Sequence, residues 1–216
     1  MRRFLPTFLV IILVLAIYPF IGRDEEPVGV VGLPWQIAVL PDGSTKVFGL
    51  NPGRTTLGQA VARLGEDMEL AVMAAQGETG SLEMYYGHYR AGLLSAKLVL
   101  AADMDAETLK RLRANAASRE VLQSGTRKFL LSDQDHQEAF EAVIQNIAFI
   151  PATDLEHEMI INRFGEPDDV ITTADQVKHY LYPKKGLDVM LNPEGKDVLQ
   201  YVEPAQFDRL RQPLGG

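Results

Sequence analysis

The chain has 216 residues, 46% hydrophobic and 23% charged, which fits one large globular domain or two small ones. Beyond residue 23 it carries 18 Lys and Arg against 29 Asp and Glu, a net of −11; the other three cations are Arg2, Arg3 and Arg23. An acidic body without a basic stripe argues against a nucleic-acid partner, and the absence of cysteine removes disulfides, thiolate metal sites and thiol nucleophiles.

The first element is a charge-free run from Phe4 to Ile21 behind Arg2 and Arg3. As a helix, the stretch between Arg3 and Arg23 spans about 28 Å, close to a bilayer core of about 30 Å. Its end, Tyr18-Pro19-Phe20, is bulky and has no small-x-small cleavage site. Residues 1–23 are therefore expected to be an uncleaved, single-pass transmembrane signal-anchor that meets the membrane through residues 4–21. Arg2 and Arg3 face Asp24-Glu25-Glu26 across it. That asymmetry predicts an inner-membrane protein with its N-terminus inside and its body in the periplasm. Residues 24–33, with Pro27, Gly29 and Gly32, read as a linker.

A hairpin is expected next, with strands Trp35–Leu40 and Thr45–Leu50 around the turn residues Asp42 and Gly43. Thr56 and Gln59 form a capping-box pattern for a helix ending at Leu64, with Gly65 as its stop. Three strands follow, at 70–75, 81–89 and 93–101. Asp105 caps a helix through about Arg119. Lys128 to Leu131 is a short apolar stretch, and Ser132 with Asp135 is another capping pattern. Phe140, Val143, Ile144 and Ile147 have helical spacing, which predicts a helix to about Ala148. Thr153 with Glu156 caps a further helix, which Gly165 and Pro167 stop. Four short strands (170–173, 177–182, 187–191 and 198–202) and a last short helix with Phe207 and Leu210 complete the chain.

The two halves share an order of features. Arg63-Leu64-Gly65-Glu66 matches Arg163-Phe164-Gly165-Glu166, and a tyrosine-bearing strand and a Gly-Leu step (Gly92-Leu93, Gly186-Leu187) follow each. The expected fold is α+β: after the N-terminal transmembrane helix, two similar helix–antiparallel-sheet units in tandem (34–119 and 120–216), with helices packed on one face of the sheet. Phe164-Gly165-Glu166-Pro167 and the Tyr182-Pro183…Gly186-Leu187 pattern resemble the small outer-membrane assembly lipoprotein family (SmpA/OmlA-like). A tandem pair of such units resembles the β-lactamase-inhibitor-protein fold. The lipoprotein cysteine is missing, so the lipid anchor of that family does not carry over. The resemblance implies a protein-binding module among membrane-anchored bacterial envelope proteins.

No nucleotide-binding, nucleophile-elbow or zincin motif is present; His157-Glu158 lacks a second ligand because position 161 is Ile. Asp133, Asp135 and His136 suit the start of a helix. No cofactor, metal or small-molecule ligand is inferred. The residues singled out are Tyr85, Tyr86, His88 and Tyr89 in one strand and His179, Tyr180 and Tyr182 in another. Tyrosine gives large contact area at low entropy cost, which suits a protein-binding surface. The competing reading puts some of these rings in core and cross-strand pairs. The expected function is a membrane-tethered interaction or scaffold module with an envelope protein partner. The alternatives are a periplasmic hydrolase with Asp/Glu acid–base chemistry or an inhibitor of a periplasmic enzyme.

Overall fold

The computed structural model describes residues 32–215. The expected anchor at residues 4–21 lies outside them. Among the described residues no helix is long and apolar enough to cross a membrane.

Residues after Pro34 fold back through two short paired strands, β1 (Ala38–Val39) and β2 (Thr45–Lys46). The Asp42 carboxylate holds their turn by accepting from the Ser44 amide at 3.0 Å. Helix α1 (Leu57–Leu64) has its capping box: the Gln59 amide donates to Thr56 Oγ1 and the Thr56 amide to Gln59 Oε1. Strands β3 (Glu69–Ala74), β4 (Ser81–Ala91) and β5 (Leu94–Ala102) form an antiparallel meander. Helix α2 (Ala106–Ala114) starts at Asp105, whose carboxylate accepts from two backbone amides, and buries Leu109 and Leu112. It stops five residues short of Arg119. Strands β6 (Ser118–Val121) and β7 (Arg127–Leu130) then extend the sheet beyond β3.

The second half runs through α3 (His136–Glu141), β8 (Ile144–Pro151), α4 (His157–Phe164), β9 (Asp169–Thr172), β10 (Lys178–Tyr182), β11 (Leu187–Leu191) and β12 (Val198–Val202). A one-turn helix, α5 (Asp208–Arg211), follows.

The fold departs from the expected α+β pair of helix–sheet units. The strands join into one ten-stranded antiparallel sheet, ordered β6-β7-β3-β4-β5-β8-β12-β11-β10-β9, and the helices are few and short. The joint is β8, which lies between β5 and β12 and pairs with both. This is the stretch whose spacing predicts a helix to Ala148. The helix ends at Glu141, and Ile144 begins a strand instead. A bulge explains the misleading spacing. Asn146 pairs with Ala101 and Ile144 with Ala102, so Gln145 is an extra residue in β8. The extra residue brings Ile144 and Ile147, three apart, to the same buried face. The expected Thr153–Glu156 box is also absent. Glu156 precedes α4 without a side-chain cap, and the Asp197 carboxylate takes the Leu155 amide at 2.6 Å.

One face of the sheet carries the main core. Leu82, Met84, Leu98, Leu100, Ile147, Phe149, Leu187, Val189 and Tyr201 project into it by strict alternation. Helices α1 and α3 pack together on this side, where a Cβ on Gly58 would sit 3.1 Å from the Phe140 Cβ. Phe48 enters the core with φ 54, unusual for a bulky residue. Its ring stacks on Phe149 at 5.4 Å and meets Tyr89 and Tyr201 edge-on at 5.6 Å. The Tyr201 hydroxyl donates to the Pro34 carbonyl at 2.9 Å. The residues before α1 are thereby fastened to the core.

Among the described residues, the opposite face is covered at one end only. Phe207, Leu210 and Leu214 pack with Leu181, Val202 and Ile171 there.

Candidate functional site

The uncovered face is read from the strand register. One row crosses the strands as Tyr85, Val99, Ala148, Gln200 and Asp188. The next row runs from Lys97 through Ile150 and Val198 to Met190. A third, at the strand ends, begins with Arg90 opposite Ser95, whose carbonyl accepts from the Ala152 amide at 2.9 Å.

Strand β4 is bulged on this face. Tyr86 pairs with Leu98 and Tyr89 with Ala96, so Gly87 and His88 together oppose Lys97. A bulge bends the strand and re-aims its side chains. Here it sets exposed His88 beside exposed Lys97. Gly87 lies under the Tyr85 ring, where a Cβ would come within 3.3 Å.

A groove of about 610 Å³ opens between these residues and the loop before β12. Its walls carry His88, Arg90, Lys97 and Lys196, and its floor includes Ile150 and Val198. No acidic residue lines it. Arg90 and Lys97 have no ion-pair partner among the described residues, and Lys196 has a loose one, Asp154 at 3.8 Å. The loop bearing Lys196 is fixed by buried Asp197, which accepts from the Asn192 amide at 2.9 Å as well as from Leu155. The groove straddles the β5–β8 pairing and draws residues from both halves of the chain.

The residues singled out from the sequence divide between the two faces. Tyr86, Tyr180 and Tyr182 are buried on the helix side, and Tyr89 packs against Phe48. These rings form core, so they do not make one surface. Tyr86 donates to the Gly65 carbonyl at 3.0 Å and Tyr182 to the Gly165 carbonyl at 2.9 Å. Burial pushes both phenols up to about 12, with Glu166 adding to the effect at Tyr182. Tyr180 meets His157 Nδ1 at 3.0 Å. Tyr85 and His88 remain on the uncovered face. His179 also projects to that side but is buried, and its Nδ1 lies 2.8 Å from Asp188 Oδ2. Asp188 is only 2% exposed and its Oδ1 has no hydrogen-bond partner among the described residues. Burial raises the Asp188 carboxyl above its usual range, against the opposing His179 bond.

Arg90, Lys97 and Lys196 escaped the sequence reading. Alternation within β5 puts Lys97 opposite the core residues, a signal present in Ser95-x-Lys97-x-Val99. Lys196 joins them only through the β8–β12 pairing, which no local pattern encodes.

Two carboxyls on this face, Glu83 and Asp188, are raised by burial. Four strand steps separate them, about 19 Å at about 4.8 Å per step. Paired glycosidase carboxylates stand about 5–9.5 Å apart. Among the described residues no group of three or more His, Asp or Glu is placed to hold a metal ion. On the helix side a smaller cavity of about 250 Å³ lies between Trp35 and α4, with the Arg163 guanidinium 4.4 Å from the Trp35 ring centre.

No protein-family model matches the chain, and no curated protein or solved structure is significantly similar to it.

Proposed function

We propose that the chain is a non-enzymatic protein-binding module of the bacterial envelope, and that its partner protein docks on the uncovered sheet face. The observation that carries this reading is the asymmetry of the sheet. Helices and the N-terminal hairpin fill one face, whereas Tyr85, Val99, Ala148 and Val198 stay partly exposed on the other. An extended surface of partly exposed aliphatic and aromatic side chains with a polar rim has interface composition. The charge-free run at residues 4–21 supports tethering at the inner membrane with the body in the periplasm. The matched bonds of Tyr86 to Gly65 and Tyr182 to Gly165 show one helix-stop device used in both halves of the chain.

The test is site-specific photo-cross-linking in intact cells. A cross-linker at Tyr85 or Val99 should give an adduct with one protein of defined mass, and the same group at Met159, on the helix side, should not. Adducts from Met159 alone, or from no position, would overturn the reading.

A further inference from the structure

We infer that the groove at the β5–β8 seam takes a short acidic peptide segment, bound extended across the strands with a carboxylate at each end. The inference rests on the protein-binding reading and names the chemistry of the partner.

Charge is the first ground. Three cations, Arg90, Lys97 and Lys196, and the imidazole of His88 line one groove of a body whose net charge beyond residue 23 is −11. Arg90 and Lys97 have no acid to neutralise them among the described residues. Unpaired like charges gathered in one concavity repel each other, and an anionic ligand relieves that repulsion.

Spacing is the second. Arg90 is on β4 and Lys196 leads into β12, three strand steps away. At about 4.8 Å per step this is about 14 Å. A ligand that meets both ends must cross the two strands between them, β5 and β8. An extended peptide advances about 3.4 Å per residue, so four residues cover the distance. Carboxylates at positions i and i+4 would meet the two ends together.

The floor is the third. Ile150 and Val198 lie between the cationic walls, and Pro151 and Ala152 edge the same groove. Apolar side chains between the two acids would bury against them. A nucleic-acid strand is disfavoured there because the acidic body would repel its continuing phosphates.

The probe is a fluorescein-labelled peptide, Asp-Val-Leu-Val-Asp, titrated into the full chain at low and at physiological salt. Controls are the Asn-Val-Leu-Val-Asn peptide and phosphatidylglycerol vesicles. The acidic peptide should bind, weaken with salt, and shift the amide resonances of Lys97, Ile150 and Val198. Arg90→Glu and Lys97→Glu should each weaken it at least tenfold without changing the melting temperature, since both side chains are exposed. The Asn peptide should bind at least tenfold more weakly. Absence of binding, resonance shifts elsewhere, indifference to the two variants, or vesicle binding in place of peptide binding would each overturn the inference. Cross-links from Tyr85 and Val99 that persist while the peptide fails would confine the failure to the acidic segment and leave the protein-binding reading in place.

Discussion

The phenol of Tyr182 donates to the carbonyl of Gly165, the residue at which α4 stops. Gly165 has φ 79 and ψ −174, a conformation that only glycine adopts without strain. The end of α4 and strand β10 are thus tied by one hydrogen bond. Lys185 adds a second, donating to the Phe164 carbonyl. In the first half, Tyr86 makes the matching bond to Gly65, where φ is 98 and ψ is 175.

Tyr86→Phe and Tyr182→Phe should each destabilise the fold by about 0.5–1.5 kcal/mol, because the bond to the glycine carbonyl is lost while the ring stays in place. The two sites belong to different helix stops, so their effects should add to within about 0.5 kcal/mol. Urea unfolding of the single and double variants measures this. A neutral result at either site would show that the bond there is dispensable.

The same phenols predict an alkaline limit. Their folded values lie at about 12, above the ordinary tyrosine value of 10.0. The unfolded chain therefore releases these protons first. The stability they contribute is complete below pH 10 and is lost as pH rises toward about 12. Absorbance at the phenolate band should show phenols that titrate late and together with unfolding. In the double Phe variant, stability should fall less steeply over that range.

His179 and Asp188 predict an inequality. Asp188 is buried with one oxygen unpaired, so its charge is held mainly by His179. Removing the ring in His179→Ala strands that charge and should cost about 3–5 kcal/mol at neutral pH. Asp188→Asn removes the charge itself and should cost far less. The sign with pH follows from the raised carboxyl. Its contribution is favourable below the usual value of 3.8 and is lost as pH rises through the raised folded value. Relative to Asp188→Asn, the wild-type chain should therefore gain stability on acidification. Equal losses in the two variants would contradict this account.

Trp35 is the single tryptophan, and the Arg163 guanidinium lies over it. Arg163→Ala should cost about 0.5–2 kcal/mol and move the fluorescence of Trp35 to the red as its face opens to water. Arg163→Lys should restore part of the stability, because a cation returns without the flat stacking surface. An unchanged emission spectrum in Arg163→Ala would show that the ring is shielded by other groups.

Several elements were legible because their signals are local. The Thr56–Gln59 box, the glycine stops at Gly65 and Gly165, and strands β10 to β12 between turn residues all follow from chemistry within a few positions. What escaped is non-local or mimics another period. The Gln145 bulge gave Ile144 and Ile147 helical spacing inside a strand. Ser118 and Arg119 read as the end of a helix, yet the exposed run Ser118–Val121 forms an edge strand whose partner is β7. Tyr86 and Tyr182 stood out as surface aromatics, although alternation from Leu82 and Leu181 is enough to divide each strand into two faces. The groove required the β5–β8 and β8–β12 pairings together, so its cations, 90 to 196 in the chain, could not be grouped from spacing.

The β5–β8 pairing also matters for solubility. Two separate sheets would present four strand edges, each a row of unpaired amides and carbonyls open to another chain. Joined at β8, the large sheet presents two. One is β6, short and bearing Arg119 and Glu120; the other is β9, where Arg211 closes over Asp169 at 2.9 Å. Fusing the halves thus removes two sites of edge-to-edge aggregation and leaves the remaining two guarded by charge.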